Sequence, residues 1–466
     1  MPRHADQILT AAQMRTAEEA LIAGGSSIDE LMQRAGRGAA EWVWRIAAGR
    51  AVTVLCGPGN NGGDGWVIAE VLRERGGEVC VIAAAEPATA AARTARALYR
   101  GAVSTEPVRG EVLVDCLFGS GLARPLSEAH LGLLQRLAVS HHLTVAVDLP
   151  SGIDADTGAP LNPLLPDCDV TLALGAWKRA HWAMPAMATM GVRCLVEIGI
   201  ERVVGAAELL GRPHLFAPAV DAHKYTRGFV GVVGGAMPGA GVLAAQAAMR
   251  GGAGYVKLFA DHPGPCDLPD LVVESETVSD LVADPRLNAL VIGPGLGRDG
   301  LAREKLEQVL RRELPTVVDG DALTLLAPAM LSGRREALVL TPHAGELEQL
   351  YAACEIEAGD RIGRLLALAH DTRSVVIAKG PDTLIAASDG ALTFAASSSA
   401  PSWLSVAGSG DVLAGLVASR IAAGRTLYAA AREAVWLHSR AGQLAGPACL
   451  PGDIVCAAPQ AFAECL

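Results

Sequence analysis

The sequence predicts two consecutive α/β domains, each built on a parallel β-sheet with crossover helices. The chain has 466 residues, which is more than one ordinary hydrophobic core accommodates. Its composition, with 51% hydrophobic residues, 52 glycines and 4% aromatic residues, is typical of parallel sheets rich in Ala, Val, Leu and Gly. Two series of alternating strand-like and helix-like segments flank the proline-containing stretch 211–221, so we place the domains at residues 1–212 and 213–466.

The first domain opens with two predicted helices between Thr10 and Arg45, separated by the turn Gly24–Ser27. Apolar runs then alternate with helical segments, which is the pattern of parallel strands joined by crossover helices. In chain order we predict a strand at Ala51–Cys56, a loop at Gly57–Asp64, a helix at Trp66–Arg75, and strands at Glu78–Ala84, Val112–Cys116 and Thr144–Val147.

The second domain repeats this alternation. The uncharged stretch 228–249 is long enough for a membrane span, but its glycines and Pro238 favour a strand, a loop and a buried helix. The predicted strands are Phe229–Val233, Tyr255–Phe259, Ala289–Ile292, Thr316–Val318, Ala337–Leu340, Val375–Ala378 and Thr383–Ala386, and the closing helices are Val412–Ala423 and Leu427–Leu444.

Charge and cysteine usage restrict the function classes. The formal net charge is −11, which argues against a general nucleic-acid binder. The ten cysteines show no CxxC pair and no metal-ligand spacing, which indicates a reducing compartment. The N-terminal residues lack the apolar core of a signal peptide. We therefore expect a soluble cytoplasmic protein without a nucleic-acid or membrane partner.

The most informative motif is the glycine-rich turn that precedes the first closing helix. Gly408, Ser409 and Gly410 lead into Asp411 at the point where an apolar helical pattern begins. Free backbone N–H groups and the helix dipole converge there, which suits a phosphate. A carboxylate in that anion site is suited to deprotonate a hydroxyl that attacks the phosphate. The alternative is a plain turn in which Asp411 only caps the helix.

A second glycine-rich loop, Gly57–Gly65, follows the first strand and contains the pattern GxGxxG, with Glu86 near the end of the next strand. This pattern alone is compatible with an NAD-dependent dehydrogenase. Two features argue against that interpretation: Asn60 and Asn61 add amide oxygens, and Asp64 places negative charge where a pyrophosphate would lie. Amide and carboxylate oxygens together suit a hard cation.

Two acidic residues end other strands of the first domain. Asp115 ends one strand, and Asp148 ends the next, with Ser151 shortly after it. Because the carboxyl ends of parallel strands line one crevice, these side chains and Asn61 can converge there. The alternative is that each Asp merely caps the turn that follows it.

The ordered motifs GPGNNGGDG, VDCLFGSGL and VDLPSGIDADTG, with the later Lys178, resemble the NAD(P)H-hydrate epimerase domain over residues 8 to 210. The resemblance implies a Rossmann-like sheet, catalytic roles for Asp148 and Lys178, and a potassium ion held by Asn61, Asp115 and Ser151. The residues that it implies at the hydrated nucleotide are Asn60, Asn61, Gly62, Gly63, Asp64, Gly119, Ser120, Gly121, Leu122, Ala123, Arg124, Pro125 and Asp148.

Polar or glycine clusters also follow five strands of the second domain, at 234–241, 293–297, 319–321, 341–346 and 379–383. Each cluster has a plain explanation: His343 after a proline is commonly a turn residue, and Lys379 with Gly380 is commonly a surface turn. Since all five fall at the carboxyl ends of strands and the Gly408–Asp411 turn follows them, we predict that they form one site.

This second set resembles the ADP/ATP-dependent NAD(P)H-hydrate dehydratase domain, which has a ribokinase-like fold, over residues 215 to 464. The chain departs from the usual pattern of that family at Ser409, where Thr is usual, and at Gly320, where Ala is usual. The resemblance implies that Ala240, Gly295, His343 and Asp411 contact the hydrated nucleotide. It also implies that ADP or ATP, with magnesium, is contacted by Lys379, Gly380, Pro381, Asp382, Thr383, Gly408, Ser409 and Gly410.

These resemblances together predict a bifunctional repair enzyme. Asp411 would deprotonate the ring hydroxyl of hydrated NADH or NADPH for attack on ADP or ATP, and the first domain would interconvert the two epimers of the hydrate. Three alternatives remain open: a small-molecule kinase fused to a nucleotide-binding module, a first domain without catalysis, and a dehydrogenase. We also expect a homo-oligomer.

Overall fold

The computed structural model describes residues 6–104, 110–260, 269–274, 277–331, 337–395 and 402–466. The chain divides into two compact units, Met1–Leu209 and Leu210–Leu466. This division lies close to the boundary that the prolines of 211–221 predict, and each unit has its own parallel sheet.

The first unit begins with interspersed strands and α-helices and ends in strands and short 3₁₀ helices. Its elements are β1 (Gln7–Leu9), α1 (Ala11–Ala23), α2 (Ile28–Ala47), β2 (Val52–Cys56), α3 (Asn60–Glu74), β3 (Val79–Ala83), α4 (Ala90–Leu98), β4 (Ala102–Ser104), β5 (Val112–Cys116), α5 (Glu128–Val139), β6 (Leu143–Val147), β7 (Val170–Leu174), β8 (Trp177–Lys178), β9 (Val192–Val196) and β10 (Ala207–Leu209), with 3₁₀ helices at Arg179–Trp182 and Ala186–Thr189.

The main sheet of this unit has the strand order β4-β3-β2-β5-β6-β7-β9, and its described neighbours are parallel. The chain moves outward from β2 through β3 and β4, then returns to β5 and proceeds in the other direction. Cys56 on β2 lies opposite Cys116 on β5. A crevice opens at such a reversal, beyond the carboxyl ends of the two central strands, so the fold places a ligand site after β2 and β5.

The predicted loop Gly57–Asp64 is wrong in its second half, because α3 begins at Asn60. Three glycines in this turn favour a loop, since each costs about 1 kcal/mol in a helix relative to Ala. Tertiary packing outweighs that cost. A Cβ on Gly62 would lie 1.8 Å from the carbonyl oxygen of Gly57, and one on Gly63 would lie 2.5 Å from Cε of Met32. The glycines therefore let the first turn of α3 approach the β2 loop and α2.

The second unit contains a larger sheet and more helices. Its elements are β11 (Phe229–Val233), α6 (Pro238–Arg250), β12 (Tyr255–Phe259), β13 (Val272–Glu274), α7 (Val278–Ala283), β14 (Ala289–Ile292), α8 (Gly300–Leu310), β15 (Thr316–Val318), α9 (Asp321–Leu325), α10 (Pro328–Leu331), β16 (Leu338–Leu340), α11 (Ala344–Ala353), α12 (Arg361–Asp371), β17 (Ser374–Ala378), β18 (Leu384–Ala386), β19 (Leu392–Phe394), α13 (Ser409–Ala422), α14 (Leu427–Ala445) and α15 (Pro451–Ala463), with a 3₁₀ helix at Ser402–Leu404.

The strand order is β13-β12-β11-β14-β15-β16-β17-β18-β19. The neighbours from β13 to β17 are parallel, whereas β18 and β19 run antiparallel. The order reverses between β11 and β14, so the carboxyl ends of these strands border the second crevice. The strands predicted in this domain are all present, with boundaries shifted by a residue at most.

Helix α13 is the central helix of the second unit, and it is buried from Val412 to Ala422. It packs closely on α6, because a Cβ on Gly415 would lie only 2.1 Å from the carbonyl oxygen of Ala244. Burying one Val or Leu side chain in such a core stabilises the fold by roughly 1.5–3 kcal/mol. The two helices therefore hold their N-terminal turns firmly beside the sheet.

The stretch 228–249 forms β11, a loop and most of α6, as predicted. Helix α15 was not predicted, because Pro451, Gly452 and Pro459 favour a loop, but it buries Ile454 and Ala458 in the core. In the part of the chain that the structure describes, no helix has both the length and the hydropathy needed to cross a membrane.

Candidate active sites

A buried ion pair forms the centre of the first site. The Nζ atom of Lys178 lies 2.5 Å from Oδ1 of Asp148 and donates to the carbonyl oxygen of Leu174 at 2.6 Å. The backbone N–H of Ser120 donates to Oδ2 of Asp148 at 2.7 Å. Burial favours the neutral carboxyl, but the charge and hydrogen bond of Lys178 outweigh it and lower the pKa of Asp148 to about 2. Asp148 is therefore ionised at neutral pH.

The backbone at Asp148 is held in an unusual conformation. Its φ of 66° is left-handed, which is disfavoured for residues other than glycine. Its carbonyl oxygen lies 2.7 Å from Nε2 of His181, and the N–H of Lys178 donates to Nδ1 of the same ring at 2.9 Å. Burial lowers the pKa of His181 to about 4, so the ring is neutral and donates through Nε2. This network fixes where the Asp148 carboxylate points.

Two more carboxyl groups are coupled electrostatically to this pair. Asp64 is buried in the first turn of α3, and burial, aided by the charges of Asp148 and Glu18, raises its pKa well above the ordinary value. Burial also raises the pKa of Glu18 on α1, while the Lys178 charge opposes that shift. The site thus combines an ionised carboxylate with a carboxyl whose protonated form is favoured, which is an arrangement that supports acid–base chemistry. Glu18 was not predicted, because it follows no strand and lies in no motif.

The predicted cation ligands form a second group in the same crevice. Ser151 donates to both carboxylate oxygens of Asp115, from Oγ at 2.8 Å and from its N–H at 3.0 Å. Both polar atoms of the Asn61 amide are buried without a hydrogen-bond partner among the described residues. A Cβ on Gly119 would lie 3.2 Å from Cγ of Asn61 and 2.6 Å from Oδ2 of Asp148, so this amide faces the crevice.

The chemistry of this donor set fits a cation bound by oxygens. A buried amide without a partner is rare and requires an explanation, and a bound ion is one. Its oxygen, the Asp115 carboxylate and the Ser151 hydroxyl are hard ligands of the kind that such cations prefer. No cluster of three or more His, Cys, Asp or Glu side chains suited to a metal occurs within the described ranges. The potassium site thus stays a prediction that the Asn61 environment supports.

The other residues predicted in the first site divide into two groups. Asn60, Gly62 and Gly63 lie with Asn61 and Asp64 in the first turn of α3. Gly119 and Ser120 lie directly against Asp148. The loop beyond them is mostly exposed at Gly121, Ala123, Arg124 and Pro125, with Leu122 half-buried. The structure therefore brings the α3 turn and Gly119–Ser120 to the ion pair, whereas the rest of the loop borders solvent.

Asp411 defines the second site. It lies in the first turn of α13, whose N-cap is Gly408 with a φ of 96°. A helix N-terminus ordinarily stabilises a carboxylate, which lowers its pKa. Here burial and the nearby charges of Asp319 and Asp321 outweigh the opposing charge of Lys379 and raise the pKa of Asp411 to about 7. The side chain is thus matched to accept a proton near neutral pH.

Three of the predicted strand-end clusters meet at Asp319. Its Oδ1 atom accepts from Nζ of Lys379 at 2.7 Å and from Oγ1 of Thr341 at 2.6 Å. A Cβ on Gly410 would lie 3.0 Å from Nζ of Lys379 and 3.7 Å from Oδ2 of Asp319. The ammonium group of Lys379 therefore lies beside the N-terminal turn of α13, where the phosphates of a nucleotide would be bound.

The loop after β14 joins this site to α6. A Cβ on Gly295, whose φ is 61°, would lie 2.3 Å from the carbonyl oxygen of Met237 and 3.0 Å from Cβ of Ala240. Asp321 accepts from the N–H of Gly297 at 3.0 Å. Gly320 has a φ of 51° and a ψ of −125°, which side chains rarely tolerate, so glycine suits this position. Ala240 and Gly295 are thereby brought together, and their contact with the hydrated nucleotide stays a prediction.

The structure gives three of the predicted contact residues a local role. His343 is exposed and caps α11, because its Nδ1 accepts from the N–H of Gly345 at 3.0 Å. The Asp382 carboxylate is buried and forms an ion pair with Arg361. Oγ1 of Thr383 donates to the carbonyl oxygen of Gly380 at 2.8 Å. Contact between Asp382 and the nucleotide stays a prediction. Because the Asp382 side chain is paired with Arg361, such a contact would come from the backbone of the 379–383 turn.

A buried histidine, His438, contacts the Gly408–Asp411 turn and was not predicted. Oγ of Ser409 lies 3.0 Å from Nε2 of His438 on α14. Burial lowers the pKa of His438 to about 4, so the ring is neutral and can donate to or accept from the serine. His438 lies inside a regular amphipathic helix, where a histidine gives no sequence signal of its own. It fixes the turn through Ser409.

The fold and the two sites together are those of an α/β enzyme with two separate crevices, one at the sheet reversal of each unit. Residues 230–456 match a family model described as NAD(P)H-hydrate dehydratase, and residues 28–180 match one described as YjeF-related protein N-terminus. The chain is 35% identical to the bifunctional NAD(P)H-hydrate repair enzyme of Gloeobacter violaceus, over 94% of this chain and 93% of that one. It is 32% identical to the enzyme of the same description from Coxiella burnetii, over 93% of each chain.

The chain belongs to the family of bifunctional NAD(P)H-hydrate repair enzymes. The predicted family, the pair of α/β domains and the bifunctional activity are thereby confirmed. A solved structure of the ADP/ATP-dependent NAD(P)H-hydrate dehydratase from Bacillus subtilis, co-crystallised with ATP and Mg²⁺, is 24% identical, covers 54% of this chain and 95% of its own, and aligns with a TM-score of 0.48.

Proposed function

We propose that the first unit interconverts the two epimers of hydrated NADH and NADPH, and that the second unit dehydrates one epimer with ADP or ATP. The observation that carries this proposal is the position of Asp411 in the first turn of α13, where burial and the charge of Asp319 raise its pKa to about 7. The activities printed in the names of the curated relatives support it. The homo-oligomeric state and the cytoplasmic location stay predictions.

The dehydration begins at the ring hydroxyl of the hydrate, which is a poor leaving group. The ionised Asp411 accepts the hydroxyl proton while the hydroxyl oxygen attacks the terminal phosphoryl group, and AMP leaves from ADP or ADP leaves from ATP. The electron pair of the ring nitrogen then forms a C=N⁺ double bond to the ring carbon, the carbon–oxygen bond breaks, and phosphate leaves. Loss of a proton from the neighbouring carbon to the phosphate restores the dihydropyridine ring.

The residues around Asp411 have electrostatic roles in this step. Within the first turn of α13 the N–H of Gly410 is the proposed donor to the anion, and Nζ of Lys379 lies beside this residue. The N–H of Ser409 instead donates to the carbonyl oxygen of Val406 at 3.2 Å. Preorganised donors of this kind typically contribute about 10²–10³ in rate each. Magnesium bound with the nucleotide would neutralise charge on the phosphates, and the Asp319 carboxylate, whose Oδ2 lies 3.7 Å from a Cβ built on Gly410, would supply an oxygen ligand for it.

Epimerisation requires that the hydroxyl leave one face of the ring and return to the other. Asp64, whose protonated form is favoured, would give a proton to the leaving hydroxyl, so that water departs and a planar ring cation remains. Asp148, held ionised by Lys178, would stabilise that cation. Water then adds to the opposite face and returns a proton to Asp64. A potassium ion held by Asn61, Asp115 and Ser151 would supply a fixed charge that orders the first turn of α3.

One experiment tests both activities together. Purified protein is incubated with the mixed hydrate epimers and either ADP or ATP, and the absorbance of the reduced cofactor is followed. Conversion of the whole mixture supports both activities, whereas conversion of only one epimer supports the second unit alone. A stable phosphorylated product without reduced cofactor would favour the small-molecule kinase instead, and no conversion would contradict the proposal.

The dehydration rate should depend on pH through Asp411. Its ionised form accepts the proton, and its pKa is raised to about 7 by burial and by the Asp319 charge. We expect kcat/KM to fall about tenfold per pH unit below pH 7 and to level off above it. The measurement is kcat/KM of the reactive epimer between about pH 5 and pH 9. A midpoint near the ordinary value of an Asp would contradict the raised pKa of the catalytic base.

Replacing Lys379 by alanine should weaken nucleotide binding. The ammonium group provides a charge-assisted hydrogen bond worth about 1.5–3 kcal/mol, so we expect roughly a 10- to 100-fold rise in the Kd for ADP. Since Lys379 also opposes the upward shift at Asp411, the midpoint of the pH profile should move upward. Calorimetric titration with ADP measures the first effect, and the exposed Arg303→Ala on α8 is the matched control. An unchanged Kd would make Lys379 a turn residue only.

A further inference from the structure

An arginine-lined cavity lies in the second unit at the C-terminal ends of α6 and α13, whereas Asp411 lies at the N-terminal end of α13. Its volume is about 660 Å³, and small-molecule sites commonly enclose about 300–1,000 Å³. Its walls come from the segment 214–227, the C-terminal ends of α6 and α13, and α15. Because the lining residues Arg420 and Ala423 follow Asp411 by 9 and 12 residues and an α-helix rises 1.5 Å per residue, the cavity is about 14–18 Å from Asp411 along α13. It is therefore not part of the site already described.

The charge of this cavity is opposite to that of the chain as a whole. Arg227, Arg250, Arg420 and Arg425 line it, and Asp221 is the acidic residue in the described lining. Glu433 lies behind the wall and pairs with Arg420 at 2.8 Å and with Arg425 at 2.7 Å. The four guanidinium groups thus exceed the two carboxylates, in a protein with a net charge of −11. Such a local excess attracts an anion.

Two of the arginines cover the backbone carbonyl oxygens at the C-terminal end of α6, which would otherwise repel an anion. The C-terminal ends of helices carry partial negative charge, which disfavours anions. Here Arg420 reaches the carbonyl oxygen of Gly251 at 3.5 Å, and Arg227 donates to that of Gly252 at 3.3 Å. Arg420 is buried, and Gly252, with a φ of 106°, allows the chain to turn against Phe462. The end of α6 is thereby covered by positive charge.

Aromatic surfaces stand beside the arginines. The His214 and Phe216 rings are stacked, with centroids 4.8 Å apart and planes inclined by 21°. Phe216 is 70% exposed, which leaves a face for a planar ligand. The Arg420 guanidinium lies 5.2 Å from the centroid of Phe462. The N–H of Leu215 donates to the carbonyl oxygen of Cys465 at 2.8 Å, so the segment with these rings is anchored to the end of the chain. Guanidinium groups bind phosphates, and aromatic rings stack on bases.

We propose that this cavity is a second nucleotide site, which binds a planar base through Phe216 and a phosphate through Arg227, Arg250 and Arg425. It takes a mononucleotide, because its volume suits a single base with its ribose phosphate. Its occupation does not depend on the chemistry proposed for either active site.

Hydrogen–deuterium exchange of the full chain with AMP tests this proposal, because it reports the two nucleotide sites separately. We expect AMP to protect peptides from 212–227 and 249–254 in addition to any protection near 405–412. In the double variant Arg227→Glu with Arg250→Glu, protection of 212–227 and 249–254 should require at least a tenfold higher AMP concentration than in the parent. Any protection near 405–412 should be unchanged. Both side chains are exposed, so the fold should tolerate the change. Arg303→Glu, an exposed residue of α8 outside the cavity, is the control and should behave as the parent.

Inorganic phosphate and adenosine separate the two parts of the ligand. Each alone should protect the cavity peptides more weakly than AMP. Adenosine that protects as well as AMP would overturn anion recognition, and phosphate that protects as well as AMP would overturn recognition of the base. No protection of 212–227 and 249–254 at saturating AMP, or equal protection in the double variant, would overturn the site itself.

Discussion

Asp411→Asn should reduce dehydration of the hydrate by about two to four orders of magnitude while the protein stays folded and still binds ADP. A general base typically contributes a factor of this size, and the amide cannot accept the hydroxyl proton. The N–H groups of the α13 turn and Lys379 are untouched by the change, so nucleotide binding should persist. The measurement is the single-turnover rate with the reactive epimer, together with the Kd for ADP.

Stability distinguishes loss of the base from loss of the fold. The pKa of Asp411 is raised in the folded state to about 7, so its ionised form is disfavoured by folding. The contribution of this group to the stability of the fold is therefore full below its unfolded pKa and is lost as pH rises through about 7. Asp411→Asn removes that loss, so its Tm at a pH well above 7 should equal or exceed that of the parent. Near-parental dehydration in this variant would contradict the assignment.

Asp115→Ala should impair epimerisation alone, by on the order of 100-fold, the scale found when the support of a metal site is removed. The carboxylate is buried and accepts from Ser151 and from the N–H of Leu117. The second unit has its own sheet and its own anion turn. The variant should therefore dehydrate the reactive epimer at the parental rate and then stop until spontaneous epimerisation supplies more.

Asp115→Ala leaves buried N–H groups unpaired, which costs about 1–3 kcal/mol each and could disturb the first unit. Ser151→Ala is the companion variant, because it removes one predicted cation ligand and leaves the backbone donors to Asp115 in place. It should raise the potassium concentration needed for epimerisation and leave dehydration unchanged. If the Asp115 variant converts the whole epimer mixture as fast as the parent, neither the cation site nor the division of labour between the units holds.

Local sequence patterns were sufficient for much of the architecture. Apolar runs such as Phe229–Val233 and Ala289–Ile292 are strands because they are buried on both faces of a parallel sheet. The Gly408–Asp411 turn could be predicted from the sequence because its glycines and the apolar helix that follows are consecutive in the chain. Positions at strand ends were enough to group Asp319, Thr341 and Lys379, since parallel strands bring their carboxyl ends to one edge.

Where local preference and packing disagreed, packing prevailed. Glycines at 62 and 63 predict a loop, yet α3 starts at Asn60, because only residues without a Cβ fit between Gly57 and Met32. Helix α15 forms despite its prolines, because burial of Ile454 and Ala458 outweighs a weak local preference.

The sequence by itself determined the two α/β units and the residue types at their sheet edges, because strand and turn signals are local. Only the tertiary structure decided the charge states. Asp148 is ionised because Lys178, 30 residues away in the chain, lies 2.5 Å from it, and the pKa of Asp411 is about 7 because burial and the charge of Asp319 raise it. The tertiary structure also placed Glu18 at the first site and His438 at the second, and neither residue lies in a motif from which its position could be predicted. Protonation depends on solvent exclusion and on charges from distant segments, and folding alone brings these together.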